Sequence, residues 1–292
     1  MKKYFSFVKI EHTVFSLPVI YAGMTLAVLA SHQEGTAHFE TSWLIKIGLL
    51  ILAAATGART VGFALNRIID RVIDAKNPRT AMRDLPSGRM TLKQGYIVML
   101  AGLALYLWSA WNINTLCFIL SPIPLVVFVL YPFMKRFTIF AHFGVGLSLA
   151  LGPLGGYLAV RPVYDEYMLP VILLTVFTWL WVSGFDIIYS TSDEEFDKRE
   201  GLFSFPSRFG RKKALIYAAL THFISFLFLT GVYFTAFQGS IVGAILLFVT
   251  AILLYVEHKK VDNVELAFFH INTVVGFVVF AYIFASSYLL MK

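Results

Sequence analysis

Uncharged apolar runs, separated by short polar segments, recur along the whole 292-residue chain. Residues 12–33, 137–160, 167–185 and 266–291 each form one such run. Each has the length of a membrane-spanning helix, which needs about 20 mostly apolar residues. Residues 94–134 and 214–256 are long enough for two spans apiece. The first of these is punctuated at Trp111-Asn112-Ile113-Asn114 and the second at Phe237-Gln238-Gly239-Ser240. A further run over roughly 43–65 is interrupted only by Lys46 at its start and Arg59 deep inside. The pattern therefore predicts nine transmembrane helices joined by short loops.

Composition agrees. Hydrophobic residues make up 58% of the chain and charged ones 14%, where a soluble domain carries roughly a quarter charged. A soluble monomer and a disordered chain are excluded. The single Cys117 excludes an internal disulfide and a cysteine-based metal cluster. In a soluble protein the net charge of +7 would suggest nucleic acid. The positions of the charges give a different reason. With the N-terminus in the cytoplasm, 20 of the 24 Lys and Arg residues fall on cytoplasmic segments, leaving Lys46, Arg161 and Lys292 outside and Arg59 within the membrane. This is the positive-inside bias, and it requires an odd number of spans. The expected fold is an all-α integral membrane protein. It is a bundle of nine transmembrane helices forming one domain over residues 1–292, with the N-terminus cytoplasmic, the C-terminus on the opposite side and no nucleic-acid partner. The long first apolar stretch, and Glu11-His12 interrupting its basic start, argue against a cleaved signal peptide. Gly152 and Gly156 form a small-xxx-small pair expected to let two helices pack closely.

The acids are concentrated in two places. After the second span, Asn66, Asp70 and Asp74 are spaced four apart, which puts them on one face of a helix. After the sixth, Asp186, Tyr189, Asp193 and Asp197 fall at i, i+3, i+7 and i+11, again one helical face. Hard oxygen ligands suit Mg²⁺, which takes one or two carboxylates and fills its other positions with water and substrate phosphate. Basic residues adjoin both ladders: Arg79 and Arg83 follow the first, and Lys198, Arg199 and Arg208 the second. Acids for a metal beside cations for phosphate oxygens describe a diphosphate pocket. The plainer alternative, a solvated rim of ion pairs, leaves unexplained why both ladders leave spans on the same side. Asp186 also ends a long uncharged run, where a carboxylate is costly unless it faces a cavity or a partner. Arg59 precedes Asn66 by seven residues and shares its face. It is expected either to bind a substrate carboxylate or to pair with an acid such as Asp186. His142, His222 and His270 stand alone in apolar context, without metal-binding spacing, and are expected to pack.

The two ladders, Asn66-x3-Asp70-x3-Asp74 and Asp186-x2-Tyr189-x3-Asp193-x3-Asp197, resemble the two signature motifs of the UbiA superfamily of intramembrane prenyltransferases. The segments 77–88, 131–136 and 201–210 are also similar to that family, so the resemblance covers most of the chain. Asp84 stands where relatives often carry proline, which affects the local loop. Residues 9–18 and 193–210 look closer to bacterial UbiA-like enzymes, including those proposed for the futalosine route to menaquinone, than to the best-known 4-hydroxybenzoate enzymes.

The resemblance implies Mg²⁺-dependent transfer of a polyprenyl group from its diphosphate to the ring carbon of an aromatic acid, as in respiratory quinone biosynthesis. The acceptor is 4-hydroxybenzoate-like, or alternatively a dihydroxynaphthoate for menaquinone. On this reading Asn66, Asp70, Asp74, Asp193 and Asp197 are metal ligands. Arg67, Arg79, Arg83, Lys135, Arg136 and Lys198 are candidates for the phosphates. Asp186 or Asp193 takes the ring proton, Tyr189 positions a reacting group, and Arg59 or Arg136 holds the acceptor carboxylate. Glu11 and His12 are expected to shape the aromatic site. The enzyme would sit in a bacterial-type inner membrane with its site toward the cytoplasm. A membrane transporter is the rival from another class, but the chain shows no internal repeat or matched broken helices. A CDP-alcohol phosphotransferase would carry a D-G spacing absent here.

Overall fold

The structure, a computed structural model, describes residue 7 and residues 13–37, 39–263 and 266–292. All regular structure among them is helical. In chain order the helices are α1 (Thr13–Gln33), α2 (Thr41–Lys76), α3 (Leu92–Ile113), α4 (Thr115–Leu120), α5 (Pro122–Met134), α6 (Ala141–Val160), α7 (Leu169–Ser190), α8 (Glu194–Glu200), α9 (Phe205–Ala236), α10 (Ile241–Lys259) and α11 (Asn272–Leu290). Among the described residues eight helical segments are long and apolar enough to cross a membrane, with α4 and α5 forming one of them. The first expected span coincides with α1. Glu11 and His12 lie outside the described residues.

Both doubled runs divide where their polar punctuation falls. Asn114 leaves helical geometry and caps α4, its side-chain oxygen accepting from the Cys117 amide at 2.8 Å while its amide donates to the Leu158 carbonyl at 2.9 Å. Ser240 caps α10 through the Gly243 amide at 3.0 Å. Short polar side chains compete for backbone groups in this way and end helices.

Helix α7 is the centre of the bundle, packed between α6 and α9, while α1 fills the space against α6 and α11. Phe177, Trp181, Leu174, Leu229, Val279 and Tyr282 are fully buried around it. Large apolar side chains such as Ile97, Trp108, Phe223 and Phe248 are exposed on the outer faces. Contiguous apolar surface of this kind is tolerated in lipid and is an aggregation liability in water.

Close crossings depend on glycine. A Cβ on Gly156 would lie 2.2 Å from the Ile20 carbonyl oxygen, and one on Gly23 would lie 1.9 Å from that of Pro153. The expected packing role of the Gly152–Gly156 pair is thus the α1–α6 crossing. Gly146 does the same between α6 and α7, where a Cβ would meet Ser183 Oγ at 2.2 Å.

The second ladder departs from the expected continuous helical face. Helix α7 stops at Ser190, a 3₁₀ turn covers Thr191–Asp193, and α8 begins at Glu194. The Ser190 and Thr191 hydroxyls bond back to the Ile187 and Ile188 carbonyls at 2.8 and 2.7 Å, drawing the last turn tight. Gly201, left-handed at φ 68°, ends α8. The chain then turns into the Ser204 cap of α9.

Candidate active site

Helix α2 has 36 residues, so it runs about 54 Å, well beyond a hydrocarbon core of roughly 30 Å. Its unbroken geometry keeps the first ladder on one face. Asn66, Asp70 and Asp74 all line a cavity of about 1020 Å³ between the helices. Asp70 and Asp74 are 2% and 5% exposed. Neither carboxylate is left without a cation. Lys135 Nζ, from just past α5, lies 2.6 Å from Asp70 Oδ2. Arg83 Nη1 lies 2.9 Å from both oxygens of Asp74.

The second ladder lines the same cavity despite its break: Asp186, Tyr189, Asp193 and Asp197 are all on the wall. The 3₁₀ turn hands Asp193 to the loop after α2. Arg79 Nε donates to Asp193 Oδ1 at 2.9 Å and Nη2 to Oδ2, while Nη1 donates to the Tyr189 hydroxyl. Asn77 Nδ2 also donates to Asp193 Oδ1, at 2.8 Å. Burial draws the Arg79 guanidinium down, but its hydrogen bonds to Asp193 and Tyr189 outweigh this and hold it above its ordinary value. Asp197 accepts from Ser204 Oγ at 2.8 Å, which ties the α9 cap to the ladder.

Arg59 and Arg67 also line the cavity. Arg59 bonds Ser16 Oγ at 3.1 Å and sits 4.7 Å from the Phe63 ring centroid. Asp186 instead meets His142, whose Nδ1 is 2.7 Å from Oδ2. Arg67 Nε donates to the Phe7 carbonyl at 3.1 Å, and its buried Nη1 has no hydrogen-bond partner among the described residues.

Two expected phosphate contacts are not on the wall. Arg136 is not among the lining residues: its Nη2 donates to the Ile69 carbonyl at 3.1 Å and stands 3.9 Å from Asp70 Oδ1, and its guanidinium packs over Phe133. Lys198 pairs with Glu194 four residues earlier, on the exposed side of α8. Each follows a wall residue by a single position, Arg136 after Lys135 and Lys198 after Asp197, and so does not share its direction.

Sequence reasoning missed several wall residues. His142 was expected only to pack, yet it is 5% exposed and borders the cavity. A titratable side chain at the start of one span, in antiparallel register with Asp186 at the end of the next, was the available signal. Asn77, Tyr131 and Ser204 lie in the family-like segments 77–88, 131–136 and 201–210, but none was singled out as a site residue. Tyr131 lines the cavity with its hydroxyl 3.5 Å from the Gly62 carbonyl. His222 lies away from the wall, its ring bonded to His258 at 2.9 Å and to the Trp181 carbonyl at 3.0 Å.

The donor set fits a hard divalent cation. Asp70 Oδ1 is buried with no hydrogen-bond partner among the described residues, and the ladder supplies carboxylate and amide oxygens alone. Among the described residues no three acids or histidines converge tightly enough to enclose an ion by themselves. Opposite charges set side by side on one wall match a metal diphosphate, which presents both signs.

The UbiA prenyltransferase family model matches residues 16–267. A 4-hydroxybenzoate octaprenyltransferase of Francisella tularensis subsp. mediasiatica (strain FSC147) is 28% identical over 229 residues, covering 78% of this chain and 76% of that protein. The mitochondrial 4-hydroxybenzoate polyprenyltransferase of Dictyostelium discoideum is 33% identical over 209 residues, 70% of this chain and 43% of that one. Among solved structures, a UbiA homologue from Aeropyrum pernix K1 superposes with a TM-score of 0.82 at 31% identity, covering 94% of this chain and 98% of its own. A UbiA homologue from Archaeoglobus fulgidus, bound to GPP and Mg²⁺, shares the fold with a TM-score of 0.73 at 19% identity over 98% of this chain and 99% of its own. The chain described here belongs to the UbiA prenyltransferase family.

Proposed function

We propose that this enzyme transfers a polyprenyl group from polyprenyl diphosphate to a ring carbon of a 4-hydroxybenzoate-like aromatic acid, in respiratory quinone biosynthesis. The observation that carries the proposal is the shared cavity. At one end it has two acidic ladders matched with Lys135, Arg79 and Arg83. Along its length it has a small apolar lining, including Ala54, Ala58, Ala110, Ile113 and Leu120. A substrate with a charged head and a long isoprenoid tail needs both. The names of the relatives support the aromatic acceptor. We further place the charged end of the cavity on the cytoplasmic side of a bacterial-type inner membrane, with α1 as the ninth span, because the basic segments border that end.

Asn66, Asp70, Asp74, Asp193 and Asp197 would hold Mg²⁺. When bound, Mg²⁺ neutralises the diphosphate and makes it a better leaving group. Arg67, Arg79, Arg83 and Lys135 bind the remaining phosphate oxygens, the guanidinium forks matching them in pairs. Arg136 and Lys198 contribute positive potential at the rim. The apolar lining keeps water from the allylic carbon as its bond to diphosphate oxygen breaks, and the electron pair leaves with the diphosphate. Arg59, braced by Ser16 and Phe63, holds the acceptor carboxylate. The ring carbon bonds the prenyl carbon, and Asp186 takes the displaced ring proton. Tyr189, fixed by Arg79, positions the leaving phosphate.

The test uses the protein in membranes. Diphosphate release that requires Mg²⁺, a polyprenyl diphosphate and an aromatic acceptor together is the expected result. Prenylation that survives Asp70→Ala and Asp193→Ala would overturn the site. Offering 4-hydroxybenzoate and a dihydroxynaphthoate in parallel assigns the acceptor, and turnover of the second alone moves the enzyme to menaquinone synthesis.

A further inference from the structure

The ladder acids differ in what they are paired with. Asp70, Asp74 and Asp193 each face a Lys or Arg. Asp197 accepts from a hydroxyl. Asp186 instead faces an imidazole, His142 Nδ1 at 2.7 Å from Oδ2. The surroundings also define the ring's tautomer. The Phe205 backbone N–H, 3.5 Å from Nε2, can only donate, so Nε2 accepts and Nδ1 carries the proton toward Asp186 Oδ2. Ring contacts with Phe205, centroids 5.9 Å apart, hold the imidazole in place. The close α6–α7 crossing at Gly146 and Ser183 lies one turn from both residues and fixes their separation.

We infer that His142 is a positioning residue for the acceptor half of the reaction: its Nδ1–H engages Oδ2 of Asp186 and leaves Oδ1 to take the ring proton from the prenylated acceptor. The inference rests on the aromatic-acceptor reading above. The step balances. The new carbon–carbon bond uses the ring's electrons, the ring recovers its aromaticity as the C–H pair returns to it, and the proton ends on Asp186, from which it leaves to water at the cavity mouth. A charged Lys or Arg at this position would hold the carboxylate ionised and make it a weaker base. Without a donor, the carboxylate would lose its orientation. An imidazole N–H orients the carboxylate without an ammonium or guanidinium beside it.

The experiment compares His142→Phe with His142→Gln in membranes, reading kcat and KM separately for both substrates. The Gln amide keeps an N–H for Asp186, and Phe does not. The Phe variant is expected to lose about 100-fold in kcat, within the range for proton-transfer groups, with the polyprenyl diphosphate KM unchanged within about twofold. His142→Gln is expected to recover most of that loss. Wild-type kcat in His142→Phe, equal losses in both variants, or a diphosphate KM rising in step with the kcat loss each overturn the inference. If the Phe variant is not recovered from membranes, His142→Leu replaces it with the same expected result. Failure of the wild-type protein to prenylate any aromatic acceptor overturns the functional reading instead.

Discussion

Arg79 bridges the two motifs: its Nε lies 2.9 Å from Asp193 Oδ1, with Nη2 on the other oxygen of the same carboxylate. A loop leaving α2 is thereby fastened to the turn leaving α7. The contact is bidentate, so its geometry as well as its charge matters. Arg79→Lys keeps the charge but loses the fork and the bond to Tyr189. The expected outcome is a fall of about 100-fold in kcat/KM for polyprenyl diphosphate, roughly 2.7 kcal/mol of transition-state stabilisation. Steady-state prenylation kinetics check it. An unchanged kcat/KM would remove Arg79 from the phosphate site.

Asp70 offers a buried oxygen without a hydrogen-bond partner among the described residues, while its other oxygen holds Lys135. Asp70→Asn removes the charge and keeps the shape. The Mg²⁺ concentration giving half-maximal activity is expected to rise at least about tenfold, as for loss of a ligand or its support. A Mg²⁺ titration of product formation reads this directly. No change would exclude Asp70 from the ligand set.

Gly156 and its neighbour Gly155 have opposite environments. A Cβ at 156 meets the Ile20 carbonyl oxygen at 2.2 Å, whereas one at 155 meets nothing within 4 Å. Gly156→Ala should separate α1 from α6 and cost about 1–3 kcal/mol by overpacking. Gly155→Ala should be neutral or stabilising by up to about 1 kcal/mol, because alanine favours the helix. Thermal unfolding in detergent distinguishes them, and equal melting temperatures would refute the close crossing.

At the opposite end of the bundle Arg161 binds Glu34 and Asp165 through two guanidinium nitrogens. The hydrogen bond from Arg161 leads the effects that hold the Glu34 carboxyl below its usual range. A depressed carboxylate pKa gives stability that is fully present above the unfolded value, about 4.3, and is lost as pH falls through the folded value. Glu34 is exposed, so the effect is small and sensitive to salt. Glu34→Gln should lower stability slightly at neutral pH and converge with the wild type as pH falls below about 4, where the wild type has lost the same contribution. Melting temperatures between pH 3 and pH 7 test this.

The helical fold and the first ladder were legible in the sequence because each depends on local repetition. Charge-free runs of bilayer length must become helices in lipid, where backbone polar groups need internal partners. A four-residue spacing stays on one face as long as the helix is unbroken, as α2 is from Thr41 to Lys76. The second ladder could be read as a set of residues but not as a shape. Ser190 and Thr191 bend the chain through contacts that spacing does not reveal.

The amino-acid sequence alone determined the class of fold and picked out most of the acids and cations that line the cavity. These follow from hydrophobicity, charge and helical period, which act over a few residues at a time. Tertiary packing decided which acid meets which partner. Lys135 meets Asp70 across 65 residues, Arg79 meets Asp193 across 114, and His142 meets Asp186 across 44. It also kept Arg136 and Lys198 off the cavity wall, Arg136 behind Asp70 and Lys198 on Glu194. Such pairings depend on how closely helices cross, and one missing Cβ at Gly146 sets that distance for His142 and Asp186.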